Sequence, residues 1–456
     1  SAQLLLCHVF VAMRGRLMHG GSSTCRGILQ RTIGLGASGA PSPRCRRPAA
    51  AAGAGGRRAA AGLPGGRGQR RVWHWGSASS GLYEDPTAAE AAVRIEGLND
   101  VTSIACGSSH SAVVAGGRLH TYGSNEHHQL GLDVAATLTP LPVTLRAPDG
   151  YHPRVLQASL GSQHSAAVSE GGALWTWGYG GSYWWGGGAL GQGSHDTQRE
   201  PALVERLVEL GEEVVQVACG AEHTVALTRG GNVYTCGRGS FGRLGRGETS
   251  DSLDFEQMEY FAQSNDSVLN PAEASVIVKV GAGENFSAAM SSHGELWLWG
   301  RNDFGQLGLG EEAMEYKGSG SRYPRMLRGL ALEGQQIVDF ACGWHHVVAL
   351  TSAGAIYEVG NRVAFEPQSV TLPSRYAEGL KNVVRLAAGD YCSFALTGDG
   401  QLYSWGAKAS GCLLQGPACE DVVRFPRPVP PEVFSGERVV DVAAARNRCL
   451  AVTTDE

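Results

Sequence analysis

One glycine recurs along this chain at near-regular intervals. Gly107, Gly161, Gly220, Gly283, Gly343 and Gly389 are separated by 54, 59, 63, 60 and 46 residues. A second glycine follows each of them by 16 or 17 residues, at Gly123, Gly178, Gly237, Gly300, Gly360 and Gly406. Length varies between the units and hardly within them, as expected of one supersecondary unit repeated with loops of different size. ACGAEHTVALTRGGNVYTCG, from Ala218, and VGAGENFSAAMSSHGELWLWG, from Val280, show the content of a unit. A short apolar run reaches the first glycine, an alternating segment follows, and a turn such as RGGN or SHGE reverses the chain. Aromatic residues then precede the second glycine. This reads as strand, turn, strand and loop, with β-branched and aromatic residues on the strands. No unit carries a helical stripe. TAAEAAVRIEGL, after Pro86, is the exception in the chain and is expected to form one or two helical turns outside the repeat.

Units of about four short strands cannot bury their faces alone, and radial packing on neighbours protects their edges. The seventh copy, VAAARNRCLAVTTDE from Val442, stops before its aromatic strand. RVWHWGSASSGLYED, from Arg71, matches the missing half. The expected fold is therefore all-β: a seven-bladed β-propeller of about four-stranded blades over residues 71–456, closed by pairing the N-terminal strand with the C-terminal blade. With 65 Gly and only 18% charged residues among 456, the composition suits a turn-rich β protein.

Residues 1–70 stand apart as an Arg/Gly/Ala-rich arm. From Ser1 to Leu82 there is no Asp, Glu or Lys, whereas arginines from Arg14 to Arg71 are frequent. That composition is that of an organelle transit peptide, so a mitochondrial matrix location is expected, with the nucleus or cytosol as alternatives. The competing reading is a disordered arm in contact with RNA or other nucleic acid. Ser1 and Met13 are the two candidate starts. LLLCHVFVAM is too short for a membrane span, and no later stretch reaches about 18 apolar residues. The eleven cysteines are odd in number and contain no C-x-x-C pair, which argues against a disulfide framework and a zinc ribbon and for a reducing compartment.

These units resemble the repeat of the regulator of chromosome condensation family. ACGAEHTVALTRGGNVYTCG and LWLWGRNDFGQLGLG match its two halves, and the resemblance covers all but the N-terminal arm. It implies the propeller. For function it implies several things at once, because members include an exchange factor for the Ran GTPase on chromatin, mitochondrial proteins of ribosome assembly or RNA processing, ubiquitin-ligase modules and a plant ultraviolet-B photoreceptor.

His110, His164, His223 and His346 each sit three residues after a marker glycine, where other units have Phe286, Cys392 and Arg448. Equivalent positions in separate blades do not converge at the roughly 2 Å of zinc ligation, so these are expected to be hydrogen-bonded core histidines. Cys106, Cys219 and Cys342 read as small buried residues. GRGSFG, at 237–242, has the G-x-G-x-x-G spacing but no following helix, so it is a blade loop. Trp75, Trp175, Trp177, Trp297, Trp299 and Trp405 occupy the strand before the second glycine and read as blade packing. No catalytic, cofactor-binding or metal residue is assigned.

Two insertions are the candidate docking elements. The segment 248–275 is acidic, with Asp251, Asp254, Glu256 and Glu259 beside Phe255, Met258, Tyr260 and Phe261. It is read either as a partner-docking element for a basic protein or as a solvated loop. GYGGSYWWGGGAL, from Gly178, presents Tyr183, Trp184 and Trp185 as an exposed patch or a packed cap. The expected function is a non-catalytic interaction scaffold in a mitochondrial assembly such as a ribosome or RNA-processing complex. The alternatives are guanine-nucleotide exchange on a small GTPase, which needs no acid, base or nucleophile, and a chromatin-bound Ran exchange factor.

Overall fold

The computed structural model describes residues 69–76, 91–184, 186–265, 275–310, 320–329, 332–361, 364–370, 380–408, 411–416 and 419–455. The arm up to residue 68, Trp185 and residues 266–274 of the acidic insertion lie outside them. The described chain forms seven four-stranded antiparallel sheets. Blade 1 comprises Val101–Cys106, His110–Ala115, Arg118–Ser124 and Ala136–Val143. Five more follow in chain order, their first strands being Val155–Leu160, Val214–Cys219, Ile277–Ala282, Ile337–Cys342 and Val383–Ala388.

Blade 7 is assembled from both ends of the described chain. Arg438–Ala445 and Arg448–Thr454 pair with each other, and Arg70–Gly76 pairs with the latter from Arg70↔Thr454 to Gly76↔Arg448. The closure expected from the truncated seventh repeat is therefore observed, beginning at Arg70. The fourth strand is Val93–Ile95, paired with Val72–His74. This corrects the helical expectation for TAAEAAVRIEGL: among its described residues, Val93, Arg94 and Ile95 are strand. The blade lacks an outer edge, and the pairing of that edge outweighs the helix propensity of alanine and glutamate. Among the described residues two short α-helices do occur, Glu205–Glu209 and Glu259–Asn265.

The second strand of each blade is buried along its whole length, as in His223–Thr228 and Phe286–Ser291, save for Thr454 at the end of Arg448–Thr454. Both of its faces meet neighbouring blades: Val225 and Leu227 pack into the core between blades 3 and 4, and Ala226 into that between blades 2 and 3. The cores lie between adjacent blades: Trp175 and Trp177 of blade 2 pack with Leu119 and Val143 of blade 1. First strands follow one another around the axis, with Gln157 bonded to the Val217 carbonyl and Gln216 to that of Val280. His164 pairs with Gly178, so the turn between first and second strands and the loop after the third strand share one end of the propeller. Both candidate insertions begin in third-strand loops, at that end.

Candidate functional site

The turn-bearing end is organised by a node repeated between blades. His110 Nε2 lies 2.8 Å from Ser165 Oγ, His164 Nε2 3.0 Å from Thr224 Oγ1, His223 Nε2 2.8 Å from Ser287 Oγ and His346 Nε2 2.9 Å from Ser393 Oγ. Each hydroxyl belongs to the next blade, on the residue after its own marker position. Ser165, Thr224 and Ser287 donate in turn to the carbonyls of Gln129, Ala189 and Arg243 in the preceding blade's loop. A hydroxyl has one proton, so in these nodes the imidazole Nε2–H is the donor. Burial pushes the His110 pKa down to about 3 and that of His164 to about 4, and it drives His223 well below the ordinary range. These rings are neutral fasteners between blades, in agreement with the core reading.

The ring of nodes is completed by three variants. Phe286 and Val347 meet in one apolar cluster, Cys392 meets Cys449, and Arg448 reaches Ser111 of blade 1. The loop that supplies the carbonyl is held by the N-x-x-G-Q-L-G residues themselves. Asn302 Oδ1 accepts from the Leu307 amide and Gln306 Oε1 from the Phe304 amide. The stretch LWLWGRNDFGQLGLG is thus a self-bonded loop, with Trp299 Nε1 donating 2.9 Å to the Arg243 carbonyl of the neighbouring blade. Trp75, Trp175, Trp177, Trp299 and Trp405 are buried, as expected of blade packing. Burial also pushes the thiols of Cys106, Cys219 and Cys342 up to about 12, which makes them poor nucleophiles. Cys219 and Cys342 are half-buried rather than fully enclosed.

The turn tips encircle the axial opening through backbone bonds that run from blade to blade. Ser162 donates to Ala221, Ala221 to Glu284, Glu284 to Trp344 and Asp390 to Arg446. Side chains there form a cation–aromatic cluster. The Arg301 guanidinium stands 4.9 Å from the Phe241 ring and 5.7 Å from that of Phe304. Phe304 stacks on His345 with centroids 3.8 Å apart, His345 Nδ1 is 3.3 Å from Glu284, and Arg446 caps Trp344 at 4.7 Å. Burial raises the Glu284 pKa and lifts that of Asp390 to about 6. Sequence reading did not single out this cluster because its members come from four blades and match no linear motif.

The proposed docking residues divide sharply. Phe255, Met258 and Phe261 are at most 4% exposed, so they are core residues, a correction to their reading as partner-contact residues. Met258 and Phe261 complete the apolar seam between blades 3 and 4, and Phe255 that between blades 2 and 3. Tyr260 is exposed and sets its edge against Trp297. Asp254 and Glu259 face solvent. Glu256 is also exposed and pairs with Arg246. Asp251 joins the two insertions: its Oδ2 accepts from the Gly187 amide at 2.9 Å and its Oδ1 from the Gly239 amide at 2.8 Å. Gly181–Ser182 and Gly186–Gly187 pair as a hairpin whose tip presents Tyr183 and Trp184, 86% and 91% exposed.

The RCC1-like domain family model matches residues 71–451. The ultraviolet-B receptor UVR8 of Arabidopsis thaliana is 31% identical over 367 residues, 77% of this chain and 74% of that protein. The RCC1 domain-containing protein RUG3, mitochondrial, from the same plant is 29% identical over 66% of this chain and 64% of its own length. The crystal structure of Prp20p from Saccharomyces cerevisiae, described with its binding to Gsp1p and histones, superposes with a TM-score of 0.70 at 20% identity, covering 87% of this chain and 93% of that one. Seven blades of the observed topology, inter-blade His–hydroxyl nodes and a match over the whole propeller lead to one conclusion: the chain belongs to the RCC1-like domain family.

Proposed function

We propose that this propeller is a non-catalytic binder that holds a protein partner on its turn-bearing end, within a mitochondrial assembly such as a ribosome or an RNA-processing complex. The observation that carries the binding role is the hairpin tip of Tyr183 and Trp184, presented to solvent on a base fastened by Asp251. Two large aromatics on an anchored hairpin supply contact area at little cost in ordering. Asp254, exposed on the adjoining strand, favours a basic partner by electrostatic steering. Arg301 and Phe304, half-buried at the same end, add residue types enriched in interfaces. The compartment is supported by the acid-free, Arg-rich N-terminal segment and by the kinship with a plant protein named as mitochondrial.

The test is a tagged full-length chain, purified from fractionated cells beside its Tyr183→Ser/Trp184→Ser variant. Mitochondrial residence and a partner retained by the parent but lost by the equally stable variant are the expected results. Residence in the nucleus or cytosol removes the compartment, and an identical partner set removes the face. Faster mant-GDP release from a small GTPase on adding the purified propeller would replace simple binding with exchange.

A further inference from the structure

The node between blades 6 and 7 differs from all the others in being built of thiols. In three of the other nodes the members are an imidazole, a hydroxyl on the next blade and the loop residue whose carbonyl accepts that hydroxyl. Cys392 occupies the imidazole position and Cys449 the hydroxyl position. Cys412 is the loop residue, and its carbonyl accepts from Trp75 Nε1 at 2.7 Å as that of Arg243 does from Trp299. The three Sγ atoms all lie within 4.8 Å of one another, and the residues are 2%, 1% and 1% exposed. The fold does not require this arrangement, since the Phe286–Val347 contact shows that two plain apolar residues also close a node.

We propose that Cys392, Cys412 and Cys449 form a trigonal thiolate site for a soft monovalent ion, Cu(I). Three buried sulfur donors converge, with no carboxylate or imidazole among the clustered ligand atoms. Zn(II) in structural protein sites is almost always four-coordinate, and among the described residues only three ligand atoms gather here. Cu(I), a filled-shell ion matched to thiolate sulfur, is satisfied by three. It takes the place of the thiol protons, which leave to solvent, and no electron is transferred. The bound ion links the second strand of blade 6, the loop after its third strand and the closing blade. Binding is thereby coupled to propeller closure.

The reduced full-length chain is titrated with Cu(I) under anaerobic conditions against bathocuproine disulfonate. One Cu(I) per chain withheld from the competitor is expected, with three sulfur neighbours in the copper X-ray absorption spectrum. Cys412→Ser alone, and Cys392→Ser/Cys412→Ser/Cys449→Ser together, should release it, whereas Cys219→Ser should retain it. Serine at position 449 recreates the residue type of Ser165 and Ser287, so Cys449→Ser serves as the ligand variant that keeps a native node, and its fold is checked by circular dichroism. No withheld copper, unchanged stoichiometry in folded variants, nitrogen or oxygen neighbours, or Zn(II) outcompeting Cu(I) would each overturn the assignment.

Discussion

Arg448 Nη1 stands 3.3 Å from Ser111 Oγ, and through that contact the last blade grips the first. Arg448 holds the position of the marker histidines, so a guanidinium here does the work of an imidazole between other blades. Its charge also helps to lower the His110 and His74 pKa values, second to burial in each case. Arg448→His should rebuild the common node and unfold within about 1 kcal/mol of the parent. Arg448→Ala should cost about 3 kcal/mol, from the cavity and from the unpaired Ser111 hydroxyl. Urea unfolding midpoints compare the two, and equal losses would show that blade closure does not depend on this contact.

Buried imidazoles make the propeller acid-sensitive. His74, His110 and His164 have folded-state pKa values of about 4, 3 and 4 against an ordinary 6.5, chiefly through burial. Between those values the unfolded chain binds more protons than the folded one. Their contribution is therefore complete above about pH 6.5 and is lost as the pH falls through the folded values, each group changing stability by on the order of 3 kcal/mol. Asp390, raised to about 6 by burial, acts in the opposite sense: its folded form holds the extra proton, so its contribution is lost as pH rises from about 4 to 6. One carboxyl does not offset three histidines. Thermal melts should show a level plateau near pH 7 and a steep fall between pH 6 and 4, and a flat profile would contradict neutral histidines in the core.

The marker glycines are fixed by close approach and not by an unusual backbone. A Cβ on Gly107 would stand 2.8 Å from the Gly161 carbonyl oxygen, one on Gly161 2.5 Å from that of Gly220, and one on Gly220 2.7 Å from that of Gly283. In these blades each turn lies against the next blade's turn. Gly220→Ala should therefore destabilise by about 3 kcal/mol through overpacking against backbone that cannot yield. Gly116 carries a positive φ of 57° with nothing near its Cβ position, so Gly116→Ala should cost about 1 kcal/mol from backbone strain alone. Chemical denaturation of the two variants checks the order.

Blade count and the role of the marker histidines were legible in the sequence because the unit recurs seven times, in whole or in part, and closure because the half missing from the seventh copy stands at Arg71. Position and spacing of Gly220 or His223 could be read against sister units. What occurs once was harder to read. Val93–Ile95 is a strand because blade 7 lacks an outer edge, a tertiary demand that AEAAVRI does not display. Phe255, Met258 and Phe261 sit in an insertion whose acidic composition suggests solvent, yet these residues, three apart, turn back to cover the seams on either side of blade 3. The thiol node was hidden by distance along the chain: Cys392, Cys412 and Cys449 share no motif and meet only when blades 6 and 7 pack.

The division within the insertions gives a direct test of which aromatics build the fold. Phe255 is 1% exposed and packs against Cys236 and Leu207 in the blade 2–3 core, whereas Trp184 at the hairpin tip is almost fully solvated. Phe255→Ala should lower stability by about 3–5 kcal/mol. Trp184→Ser should leave the unfolding midpoint within about 0.5 kcal/mol of the parent and affect only partner capture. Asp251→Ala should fall between them, because it removes the acceptor of two amides at the base of the hairpin, about 1–3 kcal/mol if both are left without a partner. Its loss should loosen Tyr183 and Trp184 and weaken capture although neither aromatic is altered. Hydrogen exchange at Gly187 and Gly239 reports on that base directly, and protection unchanged in Asp251→Ala would mean that the carboxylate is not what fastens the hairpin.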